Sequence, residues 1–261
     1  MAFPSTEISN KINLASKLIT ESKHCIALTG AGISTPSGIP DFRSKDSGIW
    51  TKYSPAEVAT LSAFQKNPDK FYDWFRPFID NIFFAEPNPA HFSLAKLEKN
   101  NSLYSVVTQN IDGLHQKAGS KNVIEVHGTY QTLSCLACNS QVKADQELLD
   151  LFLKRGKKPS CAKCGILLKP DIIFYEEMLP VDKWNQALSE ISHCDLLLVL
   201  GSSLTVPPVC DLPSTALGSA ADVIIINQTR THMDDHVTAV IQGDLKDLLP
   251  IITDKVFNEN I

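Results

Sequence analysis

Four short runs of nearly uninterrupted apolar residues constrain the fold of this chain most: Cys25-Ile26-Ala27-Leu28-Thr29, Tyr104-Ser105-Val106-Val107-Thr108, Leu196-Leu197-Leu198-Val199-Leu200 and Val223-Ile224-Ile225-Ile226. They are too short for buried helices and do not alternate, which is the pattern of strands buried on both faces. Helical stretches separate them; Ile8, Ile12, Leu14, Ala15, Leu18 and Ile19 mark one ahead of the first run. The expectation is an α/β fold, a parallel sheet covered by helices on both sides. The runs end in the polar clusters Gly30-Ala31-Gly32, Gln109-Asn110-Ile111-Asp112, Gly201-Ser202-Ser203 and Asn227-Gln228-Thr229. Open α/β sheets bind ligands beyond the carboxyl ends of their strands, so these clusters define one candidate binding edge.

Two stretches break the alternation. Residues 44–89 are rich in aromatics and read as helical, with Pro55, Pro68, Pro77 and Pro87 as punctuation. Residues 131–169 carry paired cysteines and the basic segment Lys154-Arg155-Gly156-Lys157-Lys158. Both are expected to build a smaller domain, leaving 1–43, 90–130 and 170–261 to the sheet. With 261 residues, 43% hydrophobic and 20% charged, the chain can bury a full core and is not a disordered one. Its net charge of -5 excludes a broad basic face, so no direct nucleic-acid partner is expected. No window approaches eighteen consecutive apolar residues, and the first twenty residues lack the apolar block and cleavage site of a signal peptide. A cytoplasmic protein without a membrane partner is therefore expected.

Of the seven cysteines, four form Cys135-x-x-Cys138 and Cys161-x-x-Cys164, with 22 residues between the pairs. Four thiolates suit tetrahedral zinc, and a site closed by four sulfurs is structural rather than catalytic. A redox role for the pairs is the alternative. Cys25, Cys194 and Cys210, in apolar surroundings, read as buried inert thiols.

The turn Gly30-Ala31-Gly32-Ile33-Ser34 after a strand suits backbone approach to a phosphate, although the third glycine and downstream acid of the dinucleotide fingerprint are missing. An ordinary strand-to-helix turn would read the same way. Ser37-Gly38-Ile39-Pro40-Asp41-Phe42-Arg43 sets a guanidinium and an aromatic ring on a shaped loop, which can close over a ligand or simply cover the core. The amide and carboxylate groups of Gln109 to Asp112 can bind an amide-bearing ligand or satisfy a polar turn. His127, before Gly128, is either a proton acceptor or a hydrogen-bonded core histidine.

Taken in order, these motifs resemble those of the sirtuins, the NAD-dependent protein lysine deacylases, from about Ile12 to Leu249. The resemblance implies a Rossmann-like NAD-binding domain, with a smaller domain made of a helical module (44–89) and a zinc-binding module (131–169). It places Gly30, Ala31, Gly32, Ser34, Thr35, Asp41, Phe42, Arg43, Gly201, Ser202, Ser203, Asn227, Gln228, Asp244 and Leu245 around NAD. It implies that Gln109, Asn110, Ile111 and Asp112 line the ribose and nicotinamide pocket, that Asp112 accepts from the carboxamide, and that His127 is the general base. The catalytic set is His127, Asn110 and Asp112, and Cys135, Cys138, Cys161 and Cys164 hold one structural zinc. Acylated lysines of proteins are the implied substrates, acetyl first, with nicotinamide and O-acyl-ADP-ribose as products.

Two departures stand out. The family's Phe-Gly-Glu is replaced within Phe174-Tyr175-Glu176-Glu177, where Glu176 occupies the glycine position and is expected to favour basic peptides or to alter the backbone that pairs with substrate. Relatives specific for succinyl or malonyl lysine resemble a Tyr-x-x-Arg pattern; here Arg76 lies four residues after Tyr72, still on one helical face. A desuccinylase-type deacylase, a protein ADP-ribosyltransferase and a non-enzymatic NAD-binding adaptor remain the alternatives.

Overall fold

The computed structural model describes residues 6–44 and 48–258; the first five residues, part of the segment read above for a signal peptide, lie outside it. Nine strands form among the described residues: β1 (Cys25–Thr29), β2 (Ser105–Thr108), β3 (Val123–Glu125), β4 (Gly128–Ser134), β5 (Gln141–Lys143), β6 (Lys169–Ile172), β7 (Leu196–Leu200), β8 (Asp222–Asn227) and β9 (Ala239–Gln242). Six of them make a parallel sheet in the order β3-β2-β1-β7-β8-β9. This is the doubly wound order of dinucleotide-binding sheets, which reverses direction between β1 and β7. All five residues of β1 and of β7 are buried, as their largely apolar runs require.

One face of the sheet is covered by helices Thr6–Glu21, Pro89–Lys99 and Leu245–Asn258. Ile12, Ile19, Leu94, Leu97, Leu249, Ile252 and Val256 from these helices share one core with Ala27, Val106, Leu198, Ile224 and Ile241. Each Leu, Ile or Val among them contributes roughly 1.5–3 kcal/mol on burial, so truncating Leu198 to Ala at the centre costs about 2–5 kcal/mol. Helices Val181–His193 and Leu212–Gly218 add buried Ala187, Ile191, Leu212 and Ala216.

Packing divides the described residues into two units: one formed by those up to Gly38, Glu86–Val126 and those from Asp182 on, the other by Ile39–Ala85 and His127–Val181. Residues 39–43, 127–130 and 170–181 thus group with the second unit rather than with the sheet. The reasons are local. Ile49 and Trp50 N–H donate to the carbonyls of Asp41 and Phe42 (2.9 and 3.0 Å), and β6 pairs antiparallel with β4.

In the second unit, Pro55 and Pro68 each open a helix, where a missing N–H is harmless. Pro77 does not punctuate. It lies inside helix Pro68–Phe84, against the cost of about 3 kcal/mol for an interior proline. The offset is aromatic burial: Phe71, Trp74, Phe75 and Phe78 on that helix pack on one another at centroid distances from 5.0 to 6.2 Å. The three-stranded sheet β5-β4-β6 and helix Gln146–Arg155 complete the unit. Lys158, in the basic segment, is neutralised by Asp69 and Asp73 of helix Pro68–Phe84, at 2.7 and 2.9 Å.

Candidate active site

Where the sheet order reverses, the loops after β1 and β7 cross with no room for side chains. Gly32 N–H donates to the Gly201 carbonyl at 2.8 Å, and Gly30 N–H to the Leu200 carbonyl at 3.0 Å. A Cβ on Gly32 would lie 2.8 Å from Gly201 Cα, and Gly201 itself has φ +64. These glycines therefore serve a backbone crossing, whereas the sequence offered only a phosphate turn or an ordinary turn.

The polar clusters of the first unit lock together around this crossing. Asn110 Nδ2 donates to the Gly30 carbonyl (3.0 Å) and to Ser34 Oγ (3.2 Å). Ser34 Oγ donates in turn to Asp112 Oδ2 at 2.7 Å, while Leu114 N–H donates to Oδ1 at 2.9 Å. Burial pushes the Asp112 carboxyl above its ordinary range, against these two hydrogen bonds. Gln109 Nε2 donates to Ser202 Oγ (2.9 Å), and Asn227 Nδ2 to the Ser202 carbonyl (3.1 Å). Thr35 Oγ1 donates to the Gly32 carbonyl at 3.1 Å. Ile111 is half-buried in the same loop, and Ser203 and Gln228 are exposed at the strand ends. Gly243 N–H bonds the Asn227 carbonyl (3.1 Å), which brings Asp244 and Leu245, at the start of the last helix, to this edge. Ala31 sits in the turn between the two glycines. The set offers neutral donors and acceptors with one buried carboxylate, which fits an amide- and hydroxyl-bearing ligand such as a dinucleotide.

Beneath it lies a layer that the sequence did not single out. Thr29 Oγ1 donates to Thr108 Oγ1 (2.8 Å), which accepts from Asn110 N–H (3.0 Å), so the His115 Nε2–H donates to Thr29 (3.0 Å). His91 packs on His115 with ring centroids 5.0 Å apart. Burial lowers His115 to about 3 and His91 to about 4, keeping both neutral. Asn88 Nδ2 bonds the Ile33 carbonyl (2.8 Å) and Ser37 Oγ (2.9 Å), while its Oδ1 caps helix Pro89–Lys99. The Asn-Pro pair was the available signal.

In the second unit, Asp41 is an internal loop cap: Oδ1 accepts from Arg43 and Ser44 N–H (2.8 and 2.6 Å). Phe42 packs on Trp50 and Phe78, at 5.3 and 5.7 Å. Arg43 is exposed and donates through Nη2 to the Tyr175 hydroxyl at 3.2 Å. The His127 carbonyl accepts from Ile173 N–H (2.9 Å), and Gly128, at φ +74, is required because any Cβ there would strike the Asp171 carbonyl oxygen. Glu176 is exposed, and its two oxygens accept from Ser62 N–H and Ser62 Oγ, both at 2.9 Å. The Tyr72–Arg76 pair is likewise engaged. The buried Tyr72 hydroxyl donates to the Leu168 carbonyl (2.5 Å), and Arg76 Nη2 donates to the Leu153 carbonyl near the end of helix Gln146–Arg155.

Cys135, Cys138, Cys161 and Cys164 bring four Sγ atoms within 4.8 Å of one another. The separations Cys135–Cys164 (3.4 Å), Cys138–Cys161 (3.6 Å) and Cys138–Cys164 (3.9 Å) are close to the roughly 3.8 Å between sulfurs around a tetrahedral zinc. All four are free of disulfides. The Ser140 hydroxyl, 3.1 Å from its sulfur, and the backbone N–H groups of Cys164 and Lys163 lower Cys161, whereas contact with the Cys135 sulfur raises Cys164. These residues fit one structural zinc. Of the remaining thiols, Cys25 and Cys194 are buried and raised by burial, whereas Cys210 is only half-buried, contrary to the reading from its neighbours.

Comparison with known proteins agrees with this architecture. The Sir2 family profile matches residues 30–208. An NAD-dependent protein deacylase 2 of Archaeoglobus fulgidus is 41% identical over 250 residues, covering 95% of this chain and 97% of its own. An NAD-dependent protein deacetylase of Sulfurisphaera tokodaii is 41% identical, covering 94% and 95%. A solved Sir2 structure with a deacetylated p53 peptide and 3′-O-acetyl-ADP-ribose superposes with TM-score 0.86 at 38% identity, over 95% of this chain and 98% of that one. With its doubly wound sheet, its cysteine cluster and these relatives, the chain belongs to the Sir2 family.

Proposed function

We propose that this chain is an NAD-dependent protein lysine deacylase, acting first on acetyl-lysine in the cytoplasm, with the sheet unit binding NAD and the second unit holding zinc and presenting the peptide loop. The observation that carries the reading is the Asp112 carboxylate, buried and held by Ser34 and Leu114 beside Asn110 at the reversal point of the sheet. NAD, when bound, supplies the ribose carbon that receives the acyl oxygen as nicotinamide leaves.

The rest is done by the chain's own residues. Asn110 and Asp112 orient the nicotinamide ribose and carboxamide, each already fixed by Ser34. Gln109, Ser202 and Asn227 form one hydrogen-bonded set for ribose and phosphate. Phe42, braced by Trp50 and Phe78, excludes water, since an amide oxygen is a poor nucleophile that water would outcompete. His127 accepts the proton of the ribose hydroxyl that takes over the acyl group. The loop Phe174–Glu177 binds the acylated peptide. It is held by the Lys169–Glu177 ion pair at 2.8 Å and by Phe174 N–H on Glu177 at 2.7 Å.

Neutral acyl groups are favoured over succinyl and malonyl, because the Tyr72 hydroxyl and one Arg76 N–H are already engaged by backbone carbonyls. Among the described residues no helix is long and apolar enough to cross a membrane. The test is mass spectrometry of products from zinc-loaded protein, NAD and a panel of acetyl, succinyl and longer-acyl peptides, with His127→Ala as control. O-acetyl-ADP-ribose formed by the wild type and lost in the variant is the expected result. ADP-ribose attached to protein, or bound NAD with no nicotinamide released, overturns the reading in favour of a transferase or an adaptor.

A further inference from the structure

The loop after β6 is fastened to the helical segment of its own unit by backbone and side chain together. Tyr175 N–H donates to the Ala59 carbonyl (2.9 Å), and Leu61 N–H donates to the Tyr175 carbonyl (3.1 Å), a single parallel bridge. Glu176 follows with φ +75, a left-handed backbone that a side chain with a Cβ disfavours and that glycine adopts freely. Its carboxylate then reaches Ser62, accepting from the backbone N–H through Oε2 and from the hydroxyl through Oε1, both at 2.9 Å. Both oxygens of an exposed glutamate converge on one residue 114 positions away in sequence. A strained residue persists where its surroundings over-determine it, and here the determinant is this bidentate contact. Glu177 has a different task, pairing with Lys169. Next to the fixed Glu176, Tyr175 presents its hydroxyl to Arg43.

We propose that Glu176 is a positioning residue: it clamps the loop Phe174–Glu177 to helix Leu61–Lys66 and thereby sets the affinity for the acylated peptide. A side chain here does what a glycine at this position leaves to the backbone alone. The inference rests on the reading of this loop as the peptide site, and its test separates the two. Glu176→Gly removes the carboxylate and the left-handed strain together, so the fold is not put at risk; Ser62→Ala removes one donor; Glu176→Gln keeps an acceptor for Ser62 N–H.

Steady-state kinetics with an acetylated peptide and amide hydrogen exchange over residues 173–177 are measured for each. Expected for Glu176→Gly are a peptide KM raised about three- to tenfold, the range of about one net hydrogen bond, with kcat and the KM for NAD within about twofold, and faster exchange in the loop. Ser62→Ala should show a smaller rise, and Glu176→Gln should recover most of the affinity. Unchanged exchange in Glu176→Gly refutes the clamp, whatever the turnover. Faster exchange with an unchanged peptide KM refutes its role in substrate affinity. No turnover of any acyl peptide by the wild type refutes the deacylase reading instead, and the exchange data then still decide the clamp.

Discussion

Gly32→Ala tests the claim that the crossing of the β1 and β7 loops is a packing constraint before it is anything else. The new Cβ would sit 2.8 Å from both Gly201 Cα and Gly201 O, where comfortable carbon contacts are about 3.5–4.0 Å. Both neighbours are backbone atoms, so relief requires the loops to separate by about 0.7 Å or more. Overpacking of this kind costs about 1–3 kcal/mol. Losing the 2.8 Å hydrogen bond from Gly32 N–H to Gly201 adds about 0.5–1.5 kcal/mol. The sum, about 2–4 kcal/mol, corresponds at this chain length to a melting temperature lower by roughly 4–16 °C. Gly218→Ala is the control. Nothing lies within 4 Å of its Cβ position, and it closes helix Leu212–Gly218, so alanine there should stabilise by about 0.4–1 kcal/mol. Gly38→Ala, in open space at φ +87, separates backbone strain from crowding and should cost only about 1–2 kcal/mol. Thermal and urea unfolding, each followed by two probes because the chain has two units, provide the readout. If Gly32→Ala unfolds at the same midpoint as Gly218→Ala, the crowding argument is wrong.

Three further expectations follow from the geometry. Replacing Cys161 by Ala, or chelating metal, should remove one zinc per chain and unfold the β4–β6 module while the six-stranded sheet keeps its circular dichroism; full retention of near-ultraviolet structure without zinc would contradict this. His91 and His115 have folded pKa values lowered to about 4 and about 3. Each therefore takes up its proton more readily when unfolded: their stabilisation is complete above about pH 6.5 and is lost at up to about 1.4 kcal/mol per pH unit each as pH falls toward those values. A His115→Asn variant should show a shallower acid slope of melting temperature than the wild type, and equal slopes would exclude this account. Tyr72→Phe should cost about 1–3 kcal/mol by stranding the buried Leu168 carbonyl, yet leave the ratio of acetyl to succinyl turnover unchanged; a shifted ratio would place Tyr72 in the acyl site.

The strands β1 and β7 were legible to the residue, because four and five apolar residues in a row fit a doubly covered sheet. β3 and β9, at three and four residues, were not, since segments so short carry no periodicity. Pro77 lies inside a helix instead of punctuating one, because helix propensity is a weak prior where a whole aromatic face can be buried. The polar clusters that the fold brings together at the strand ends were legible by type, Asn110, Asp112 and Asn227 among them, and the cysteine cluster by spacing alone. Their hydrogen-bond partners were not legible, nor was the layer of Thr29, Thr108, His91 and His115 beneath.

Sequence alone determined what depends on neighbours within a few positions: the buried strands, the polar clusters that end them, the thiolate pairs and the family pattern they compose. Tertiary structure decided what depends on residues far apart in the chain. Gly32 needs to be glycine because Gly201 crosses it, and Glu176 is engaged because Ser62 stands opposite. Arg76 sends one guanidinium N–H to the Leu153 carbonyl because helix Gln146–Arg155 ends beside it. Local chemistry fixes which groups a chain can offer, whereas close packing and the need to satisfy every buried donor and acceptor select which of them remain available to a ligand.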